Sequence, residues 1–401
     1  MKILVVCQYY HPEPFRIHEV CEELVGRGHE VTVLTGLPNY PMGIIPEEYK
    51  KREHRDEIVR GVHIIRVKER PRTEGAAGLA ANYVSFVFFG SLKALAMKKD
   101  FDVIFVYQLS PVLMAIPAYV VKWFGRHAKI GLYCLDLWPE SLASMGISRN
   151  SLFYRFMKYV SIRIYRGVEV IGLSSRLFEK YFTGELRIKN GRYVHIPQFA
   201  DELFSDIGSG NDRPGKETVD YVFAGNIGKM QSVETIIRAA ALTRDDRIRW
   251  HIVGDGFALE DCRKLCDSLD VSDRVKFYGR LPVEEMPRFY DMADAMIVTL
   301  ADNDTISYTL PGKIQSYMAA GKPVIASANG ETKHVIEDSG CGMCAPAEDE
   351  KALAAIADEM AASNELLLMG ERSRNYYNGH FTKKEHVDLI ENMLESILER
   401  R

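Results

Sequence analysis

Lys313, which follows the pair Pro311-Gly312, is a candidate for binding or catalysis. It lies in the stretch Tyr308–Ser327, YTLPGKIQSYMAAGKPVIAS. Pro311 and Gly312 mark the start of a helix predicted over Lys313–Ala320, because proline is tolerated in a first turn. Unpaired amides at a helix N-terminus, together with a lysine, can bind an anion such as a phosphate. An ordinary helix followed by a buried strand explains the same residues, so both interpretations stay open at this point.

Three further loops of the C-terminal half follow apolar, strand-like runs and contain glycine. They are Gly225–Lys229, Gly254–Gly256 and Tyr278–Leu281. Glycine lets a backbone approach a phosphate closely, and Lys229 is placed to reach one. The carboxyl ends of parallel strands meet at one edge of a sheet, where ligands bind. We therefore expect these loops to converge with the loop before Lys313.

Carboxylates occur in two loops of the N-terminal half. Asp136 and Glu140 lie in DLWPE, after a predicted strand. Two carboxylates in such a loop suit a site that orients a hydroxyl group and accepts its proton. The structural alternative is that Asp136 caps the following helix.

The loop after the first predicted strand, YYHPEPFR, lacks a glycine-rich dinucleotide fingerprint, so we expect no nicotinamide or flavin site there.

Alternating apolar runs and helical patterns are expected to position these loops, as in parallel sheets built from βαβ units. The polar segment Gln198–Glu217 has no periodicity and separates two such regions. We predict domains over 1–198 and 218–380, a linker over 199–217 and a final helix over 381–401. The predicted strands are Ile3–Cys7, Glu30–Thr35, Val62–Val67, Val103–Tyr107, Lys129–Cys134, Glu169–Leu173, Tyr193–Ile196, Tyr221–Ala224, Trp250–Val253, Val275–Tyr278, Met296–Leu300 and Val324–Ala326.

The composition is that of a soluble globular protein. The chain has 401 residues, of which 47% are hydrophobic and 26% charged. We expect no secretory signal, and no run of uncharged apolar residues long enough to span a membrane. Seven scattered cysteines suggest free thiols in a reducing cytosol. A zinc site that combines the pairs Cys262/Cys266 and Cys341/Cys344 is disfavoured, because the pairs belong to separate units and no His accompanies them.

Charge is distributed unevenly along the chain. Residues 1–200 carry 28 Lys and Arg against 19 Asp and Glu, whereas residues 201–401 carry 23 against 36. A basic half could meet nucleic acid, an anionic membrane surface or a phosphorylated substrate. Ser151–Arg166 has four basic residues and no acid, with its apolar residues on one side of a helix, so it is either a membrane-interface helix or a core helix with a solvated face. Tyr83–Met97 is predicted to be a buried helix.

The whole chain resembles a known enzyme family through its motifs. HPEPFR, RGHEVTVLTGLPNYP, DLWPES, GNIGK and LPGKIQSYMAAGKPVIAS are similar to family 4 of the retaining glycosyltransferases. They are most similar to its bacterial branch that adds N-acetylated amino sugars, such as fucosamine or GlcNAc, during O-antigen and capsule assembly. The resemblance implies the GT-B fold, an α/β architecture of two Rossmann-like domains facing across a cleft, with the last helix crossing back to the N-terminal domain.

The sequence departs from the family's usual motif in the donor region. Members of this family usually carry two Glu separated by seven residues, and the matching positions here are Tyr308 and Ser316. The usual Arg and Lys that hold the diphosphate fall at Asn226 and Gln231. Lys229 and Lys313 are the cations that can substitute for them.

The resemblance implies a retaining, metal-independent transferase that moves a sugar from a UDP-sugar to a polyprenyl-diphosphate-linked saccharide. The enzyme would be cytoplasmic and peripheral on the inner face of the cell membrane, without a cofactor, a metal or a nucleic-acid partner. Catalytic roles fall to Asp136, Lys229 and Lys313. Donor-binding roles fall to Gly225, Asn226, Gly254, Arg280, Leu281, Tyr308, Thr309, Leu310, Gly312 and Ser316, and acceptor-binding roles to Glu13, Phe15, Arg16 and Glu140. A non-catalytic sugar-nucleotide-binding subunit and a UDP-sugar 2-epimerase are the alternatives.

Overall fold

The chain forms two compact units of α/β structure. The computed structural model describes residues 1–73, 75–98, 100–125, 128–189, 191–205, 207 and 216–399. Unit 1 contains Met1–Ser174, Phe178–Ile196 and Val387–Arg401, and unit 2 contains Ser175–Leu177 and Pro197–His386. Nine of the nineteen residues predicted as a linker, 206 and 208–215, lie outside the described residues.

Unit 1 is built around a sheet of eight strands. Its strands are β1 (Lys2–Val6), β2 (Glu30–Thr35), β3 (Asp56–Val59), β4 (Val62–Arg66), β5 (Val103–Gln108), β6 (Lys129–Cys134), β7 (Val170–Leu173) and β8 (Tyr193–His195). Its helices are α1 (Ile17–Gly26), α2 (Glu47–Lys50), α3 (Gly75–Ala96), α4 (Ile116–Phe124), α5 (Glu140–Ser144), α6 (Leu152–Arg166) and α7 (Phe178–Lys180).

The strand order in unit 1 is β3-β4-β2-β1-β5-β6-β7-β8. All neighbours are parallel except the edge pair β3 and β4. The central strands are buried on both faces, and Ile3 to Val6 are inaccessible to solvent, which explains their unbroken apolar sequence. The order reverses between β1 and β5, so the loops after these two strands flank the position where ligands bind in such sheets.

Unit 2 has a second, entirely parallel sheet of six strands. Its strands are β9 (Val219–Ala224), β10 (Ile248–Val253), β11 (Val275–Gly279), β12 (Ala295–Thr299), β13 (Val324–Ser327) and β14 (Gly342–Ala345). Its helices are α8 (Val233–Ala240), α9 (Leu259–Ser268), α10 (Met286–Met292), α11 (Asp304–Ser307), α12 (Gly312–Ala319), α13 (Glu331–Ser339), α14 (Glu350–Ala362) and α15 (Leu366–His380).

The order of the second sheet, β11-β10-β9-β12-β13-β14, reverses between β9 and β12. Alternate residues of β9 divide between two apolar clusters, with Val222 in one and Tyr221 in the other, because successive side chains point to opposite faces.

The cysteine pairs are divided between the same two clusters. Cys262 and Cys266 pack in one cluster and Cys341 in the other, so the described thiols do not assemble a zinc site.

The last helix, α16 (Lys383–Leu398), lies in unit 1 from Val387 onward. Arg27 Nη1 lies 2.7 Å from both Glu391 Oε2 and Asp388 Oδ1, and His29 Nε2 lies 2.6 Å from Glu391 Oε1. The apolar side of the helix, including Leu394, is buried. The predicted return of this helix to the N-terminal domain is therefore confirmed.

Both regions contain parallel α/β sheets, as predicted, but three elements differ from the predictions. The edge strands β3 and β14 were not predicted, because edge strands are less apolar than central ones. The prediction that Tyr83–Met97 is a buried helix is wrong. It belongs to the longer helix α3, in which Val84 and Phe88 are more than half exposed. By length and composition α3 could also cross a membrane, contrary to the expectation that no stretch is apolar enough.

Candidate active site

Three of the predicted loops of unit 2 meet at the carboxyl edge of its sheet. The Gly225 N–H donates to Val253 O at 2.9 Å, and the Gly254 N–H donates to Gly279 O at the same distance. Gly254 has φ +139°, and a Cβ on this residue would lie 1.8 Å from Gly225 O. The contact between these loops therefore requires glycine at position 254.

Lys313 brings the fourth loop to the same edge. A Cβ on Gly225 would lie 3.0 Å from Lys313 Nζ, and this nitrogen lies 3.9 Å from the centroid of the Phe223 ring. The nitrogen is buried and has no hydrogen-bond partner within the described part of the chain. Burial lowers the pKa of Lys313 to about 7. A buried amine with no acceptor marks a candidate anion-binding site.

The helix α12 is fixed to the sheet by a buried tyrosine. Tyr317 Oη donates to Ala224 O and accepts from the Ala224 N–H, both at 3.2 Å. Ile314 and Met318 are completely buried beside it. The helix begins at Gly312, one residue earlier than predicted, so Lys313 lies in its first turn. This packing holds the lysine at the end of β9.

The loop after β9 carries an amide pair where the family usually has cations. Asn226 Nδ2 donates to Gln231 Oε1 at 3.1 Å, so these two side chains pair with each other. Lys229, between them, is exposed, and so is Arg280 after β11. Neither cation forms an ion pair with a described residue. Leu281 is partly buried against the apolar cluster of the unit.

The loop before α12 uses some of its polar groups internally. The Tyr308 carbonyl accepts a hydrogen bond from Ser175 Oγ. The Thr309 N–H donates to Ile306 O at 2.9 Å, and its hydroxyl donates to the carbonyl of Thr305 at 3.2 Å. The Thr309 amide is therefore engaged and is not a free donor for an anion.

The start of α12 offers further donors. The Ile314 N–H already donates to Pro311 O at 3.0 Å, whereas the Leu310 amide precedes the helix and the Gly312 amide is the first one in it. Ser316 Oγ donates to Gly312 O at 3.4 Å, a long hydrogen bond that leaves the hydroxyl close to the backbone of its own helix. Where the family has its second Glu, this chain thus has a short, buried hydroxyl.

Asp136 lies in unit 1 at the ends of β5 and β6. Ser110 Oγ donates to Asp136 Oδ2 at 2.8 Å, and Trp138 Nε1 donates to Ser110 Oγ at 2.9 Å. Burial raises the pKa of Asp136. The helix α5 begins after Pro139 without a side-chain cap, so the alternative in which Asp136 caps the helix is wrong.

Glu140 is in contact with neighbouring side chains of unit 1. Its carboxylate accepts hydrogen bonds from Tyr154 Oη and from Arg149 Nε, the latter at 3.0 Å. The residue is 4% exposed. Glu140 therefore joins α5 to the start of α6, and its role in holding an acceptor stays a prediction.

Glu13 holds together the loops after β1 and β2. Its Oε1 accepts from the Asn39 and Tyr40 amides at 2.8 and 2.7 Å, and its Oε2 accepts from the Tyr10 amide at 3.1 Å. Burial raises its pKa to about 7 despite these hydrogen bonds. The carboxylate therefore shapes the edge of the sheet.

Phe15 and Arg16, the other two residues of this loop, have local partners. The Phe15 ring stacks on Tyr9 with centroids 5.3 Å apart. Arg16 Nη1 lies 3.5 Å from Glu19 Oε1 in the first turn of α1. The predicted acceptor residues of this loop thus lie together at the end of β1.

A buried polar cluster beside this loop was not predicted. Glu69 Oε1 accepts from Gln8 Nε2 at 2.8 Å, from Asn39 Nδ2 at 3.4 Å and from Asn82 Nδ2. Burial raises the Glu69 pKa to about 8. Its four residues come from four separate segments of the sequence, and no local motif joins them. Only Gln8 and Asn82, isolated polar residues within apolar runs, could have indicated the cluster.

Residues 211–393 match the protein family described as "Glycosyl transferases group 1". Among curated proteins, the chain is 26% identical over 294 residues to the probable glycosyltransferase WbjE of Pseudomonas aeruginosa, covering 71% of each chain. It is 23% identical to the putative colanic acid biosynthesis glycosyl transferase WcaI of Escherichia coli K12, covering 88% of this chain and 91% of that one.

Solved structures share the fold of the entire chain. Sucrose-phosphate synthase from Thermosynechococcus elongatus superposes with a TM-score of 0.77 at 17% identity, covering 100% of both chains. HepE of Anabaena, solved in complex with UDP, superposes with a TM-score of 0.72 at 14% identity, covering 99% of this chain and 100% of that one. These similarities show the GT-B fold. Residues 211–393 carry a group 1 glycosyl transferase domain, and the chain is a glycosyltransferase with homologues in bacterial polysaccharide biosynthesis.

Proposed function

We propose that this enzyme transfers a sugar, an N-acetylated amino sugar, from a UDP-sugar to a polyprenyl-diphosphate-linked saccharide, with retention of anomeric configuration. The observation that carries the proposal is the buried, unpartnered Lys313 Nζ at the end of β9. The UDP complex of a protein with the same fold supports a UDP donor. The colanic acid relative supports an acceptor used in the assembly of a surface polysaccharide.

Lys313 and Lys229 would stabilise the departing diphosphate. As the bond between the anomeric carbon and the β-phosphate oxygen breaks, its electron pair goes to UDP, and negative charge grows on that oxygen. Cations and the amides at the start of α12 are already placed at this edge, so they need little reorganisation. Such cations make a bound metal unnecessary, and we expect transfer to continue in the presence of a chelator.

Asp136 would orient the acceptor hydroxyl group through its carboxylate, which Ser110 holds in place. The new bond forms between this hydroxyl oxygen and the anomeric carbon, on the face from which UDP departs. The hydroxyl proton passes to the departing phosphate oxygen. This path retains configuration without a nucleophile from the protein.

A lipid-linked acceptor places the enzyme at the inner face of the cell membrane, in the cytoplasm. The helix α6 supports this location, because Leu152, Phe153 and Phe156 are exposed on a helix that carries four basic residues and no acid.

A second candidate is a sugar-nucleotide-binding subunit without catalytic activity. It is favoured by the replacement of both family carboxylates, at Tyr308 and Ser316. This alternative predicts that the protein binds UDP-sugars but releases no UDP.

The test incubates the purified protein with UDP-sugars, with and without a polyprenyl-diphosphate-linked saccharide. Acceptor-dependent release of UDP, with the new linkage in the donor's configuration, is the expected result. Binding without turnover would favour the non-catalytic subunit, and an epimerised donor would favour the UDP-sugar 2-epimerase. Either of these results would contradict the proposal.

A further inference from the structure

Three helices form one outer layer of unit 1. The connections from β4 to β5, β5 to β6 and β6 to β7 all advance in the same direction across the sheet, so right-handed crossovers place α3, α4 and α6 on the same face. A Cβ on Gly90 of α3 would lie 2.9 Å from Pro117 of α4. At the other side of α4, Tyr119 Oη donates to the carbonyl of Ile164 in α6. The helix α4 therefore contacts both of its neighbours.

The outer surface of this layer is strongly apolar. Each of the three helices exposes large hydrophobic side chains, and those on α3 repeat at the spacing of a single helical stripe. Soluble proteins rarely expose so many large apolar groups on adjacent elements unless the surface binds something. The exposed residues are Val84, Phe88, Leu92 and Leu95 on α3, Trp123 and Phe124 on α4, and Leu152, Phe153, Phe156 and Tyr159 on α6.

The same layer contains no acidic residue. Asp and Glu make up 55 of the 401 residues, about one in seven, yet none occurs in the 22, 9 and 15 residues of α3, α4 and α6. Six basic residues occur there instead. This charge pattern complements an anionic surface and repels a second copy of itself. The basic residues are Lys93, Lys122, Arg155, Lys158, Arg163 and Arg166.

The helix α3 lies along the sheet and does not leave it. Although it is long and apolar enough to cross a bilayer, its two ends connect β4 and β5 of one sheet. Asn82 and Phe86 on its inner side are completely buried. Insertion across a bilayer would break these contacts, so the exposed stripe can meet a lipid surface only side-on.

A basic cleft of about 540 Å³ borders α3. Phe89 and Lys93 of α3 form one wall, and Lys68 after β4 lies on another. Lys50 and Arg66 also line it, but they pair with acids of their own, Glu47 and Glu57. Arg55 and one acid, Asp56, complete the charged lining, and Asp56 lies 2.7 Å from His63 Nε2. Lys68 and Lys93 form no hydrogen bond or ion pair among the described residues. Two such lysines beside an apolar stripe suit a phosphate group carried by an amphiphile.

We propose that α3, α4 and α6 together form a docking surface for an anionic phospholipid bilayer, with lipid phosphates bound at the cleft beside α3. The inference rests on the proposed use of a lipid-linked acceptor and identifies the surface by which the enzyme would reach it. It extends the membrane contact well beyond α6. The apolar side chains enter the interface. Five of the six helix cations hold the layer against lipid phosphates, because Lys122 already pairs with Glu169 at 2.7 Å.

The test measures binding of the full-length protein to sedimented vesicles, made either of phosphatidylcholine alone or of an equal mixture with phosphatidylglycerol. The wild type is expected to bind the mixed vesicles much more strongly. A Phe88→Ser/Leu92→Ser variant should bind them at least tenfold more weakly, because it removes two large apolar side chains from the interface. The matched control is Leu367→Ser/Leu368→Ser, which changes two exposed leucines of α15 in unit 2.

The outcomes separate the possible occupants of the surface. Equal binding by the α3 variant and the control would overturn the proposal. So would self-association of the wild type that the α3 variant abolishes without any binding to vesicles. A Lys68→Gln/Lys93→Gln variant should bind mixed vesicles more weakly. If it instead loses only binding of inorganic phosphate, measured by calorimetry, the cleft takes a free anion and the lipid assignment is wrong.

UDP binding and transfer to a water-soluble acceptor are measured on the same variants. Because Phe88 and Leu92 lie in unit 1 and outside the donor site, both properties are expected to be unchanged. Loss of vesicle binding with normal transfer supports the docking surface. Absence of transfer in every variant, with vesicle binding as expected, would contradict the proposed function alone.

Discussion

Lys313 Nζ lies 3.9 Å from the centroid of the Phe223 ring, at the end of the first strand of the second sheet. The aromatic face is the only stabilising partner that the described residues provide for this buried amine. A cation–π contact does not replace the hydration that the ammonium group loses, so the pKa falls to about 7. Without a bound anion, the site therefore favours the neutral form of the Lys313 amine.

The cost of burying the Lys313 ammonium group predicts that Lys313→Met stabilises the ligand-free protein. The folded pKa lies below the ordinary value of 10.5, so the unfolded chain binds more protons between pH 7 and pH 10.5, and the stability of the wild type rises with pH in this range. Methionine keeps the apolar stem and removes the charge. At pH 7 the variant should be more stable by up to a few kcal/mol. Urea unfolding at pH 7 and pH 10 would show this difference shrinking with pH, and equal stabilities at both values would contradict it.

The contact between the loops predicts that Gly254→Ala is severely destabilising. The new Cβ would lie 1.8 Å from Gly225 O, so the backbone would have to move. We expect a loss of about 2–4 kcal/mol and of UDP binding. Gly312→Ala is the matched control, because a Cβ there meets no atom within 4 Å. Thermal unfolding should separate the two, and similar melting temperatures would argue against the convergence of the loops.

The positions of the loops can be predicted from the sequence, but the hydrogen-bond partners of their side chains cannot. Gly225 could be placed at this edge because it follows a recognisable parallel strand. Lys313 could be placed there because it lies at the start of a recognisable helix. The hydrogen bond between Asn226 and Gln231 could not be foreseen, since it depends on the side-chain geometry of a turn. The exposure of α3 was missed because apolar composition alone does not distinguish a core helix from a surface helix. Its neighbours in the fold decide that question.

Glu69 predicts an unusual dependence of stability on pH. Its folded pKa of about 8 lies above the ordinary value of 4.5, so the folded protein holds a proton that the unfolded chain releases. The free energy of unfolding should therefore fall as the pH rises from about 4.5 to about 8. Glu13, whose pKa is raised to about 7, contributes with the same sign.

Glu69→Gln tests this dependence, because glutamine resembles the protonated acid in shape and hydrogen bonding. The variant should be about as stable as the wild type at pH 5 and more stable, by a few kcal/mol, at pH 9. Urea denaturation at the two pH values gives the comparison. A constant difference between the proteins would show that Glu69 does not change its protonation in this range.

The anchoring of the last helix predicts a local loss of stability in Glu391→Ala. Glu391 accepts hydrogen bonds from Arg27 and His29, and these contacts lower its pKa against the effect of burial. Its contribution is therefore present above the ordinary pKa of 4.5 and is lost as the pH falls through the folded value. We expect a loss of about 1–3 kcal/mol at pH 7.

The exposed Glu395 of the same helix provides the control. Glu395→Ala should change stability by less than about 0.5 kcal/mol. Hydrogen exchange of residues 387–398 would show whether the loss concerns this helix. Equal protection in the two variants would contradict an anchoring role for Glu391.

The most direct test of the central claim is the affinity of UDP for the wild type and for Lys313→Met, measured by calorimetry from pH 6 to pH 9. The exposed Lys276→Met serves as a control for the loss of one charge. If Lys313 holds the diphosphate, its substitution should weaken binding by about 10–100-fold near neutral pH, as expected for one charge-assisted hydrogen bond. The wild-type affinity should fall more steeply above pH 7 than that of the variant, because binding then requires uptake of a proton. An unchanged dissociation constant and the same pH dependence in Lys313→Met would contradict the account.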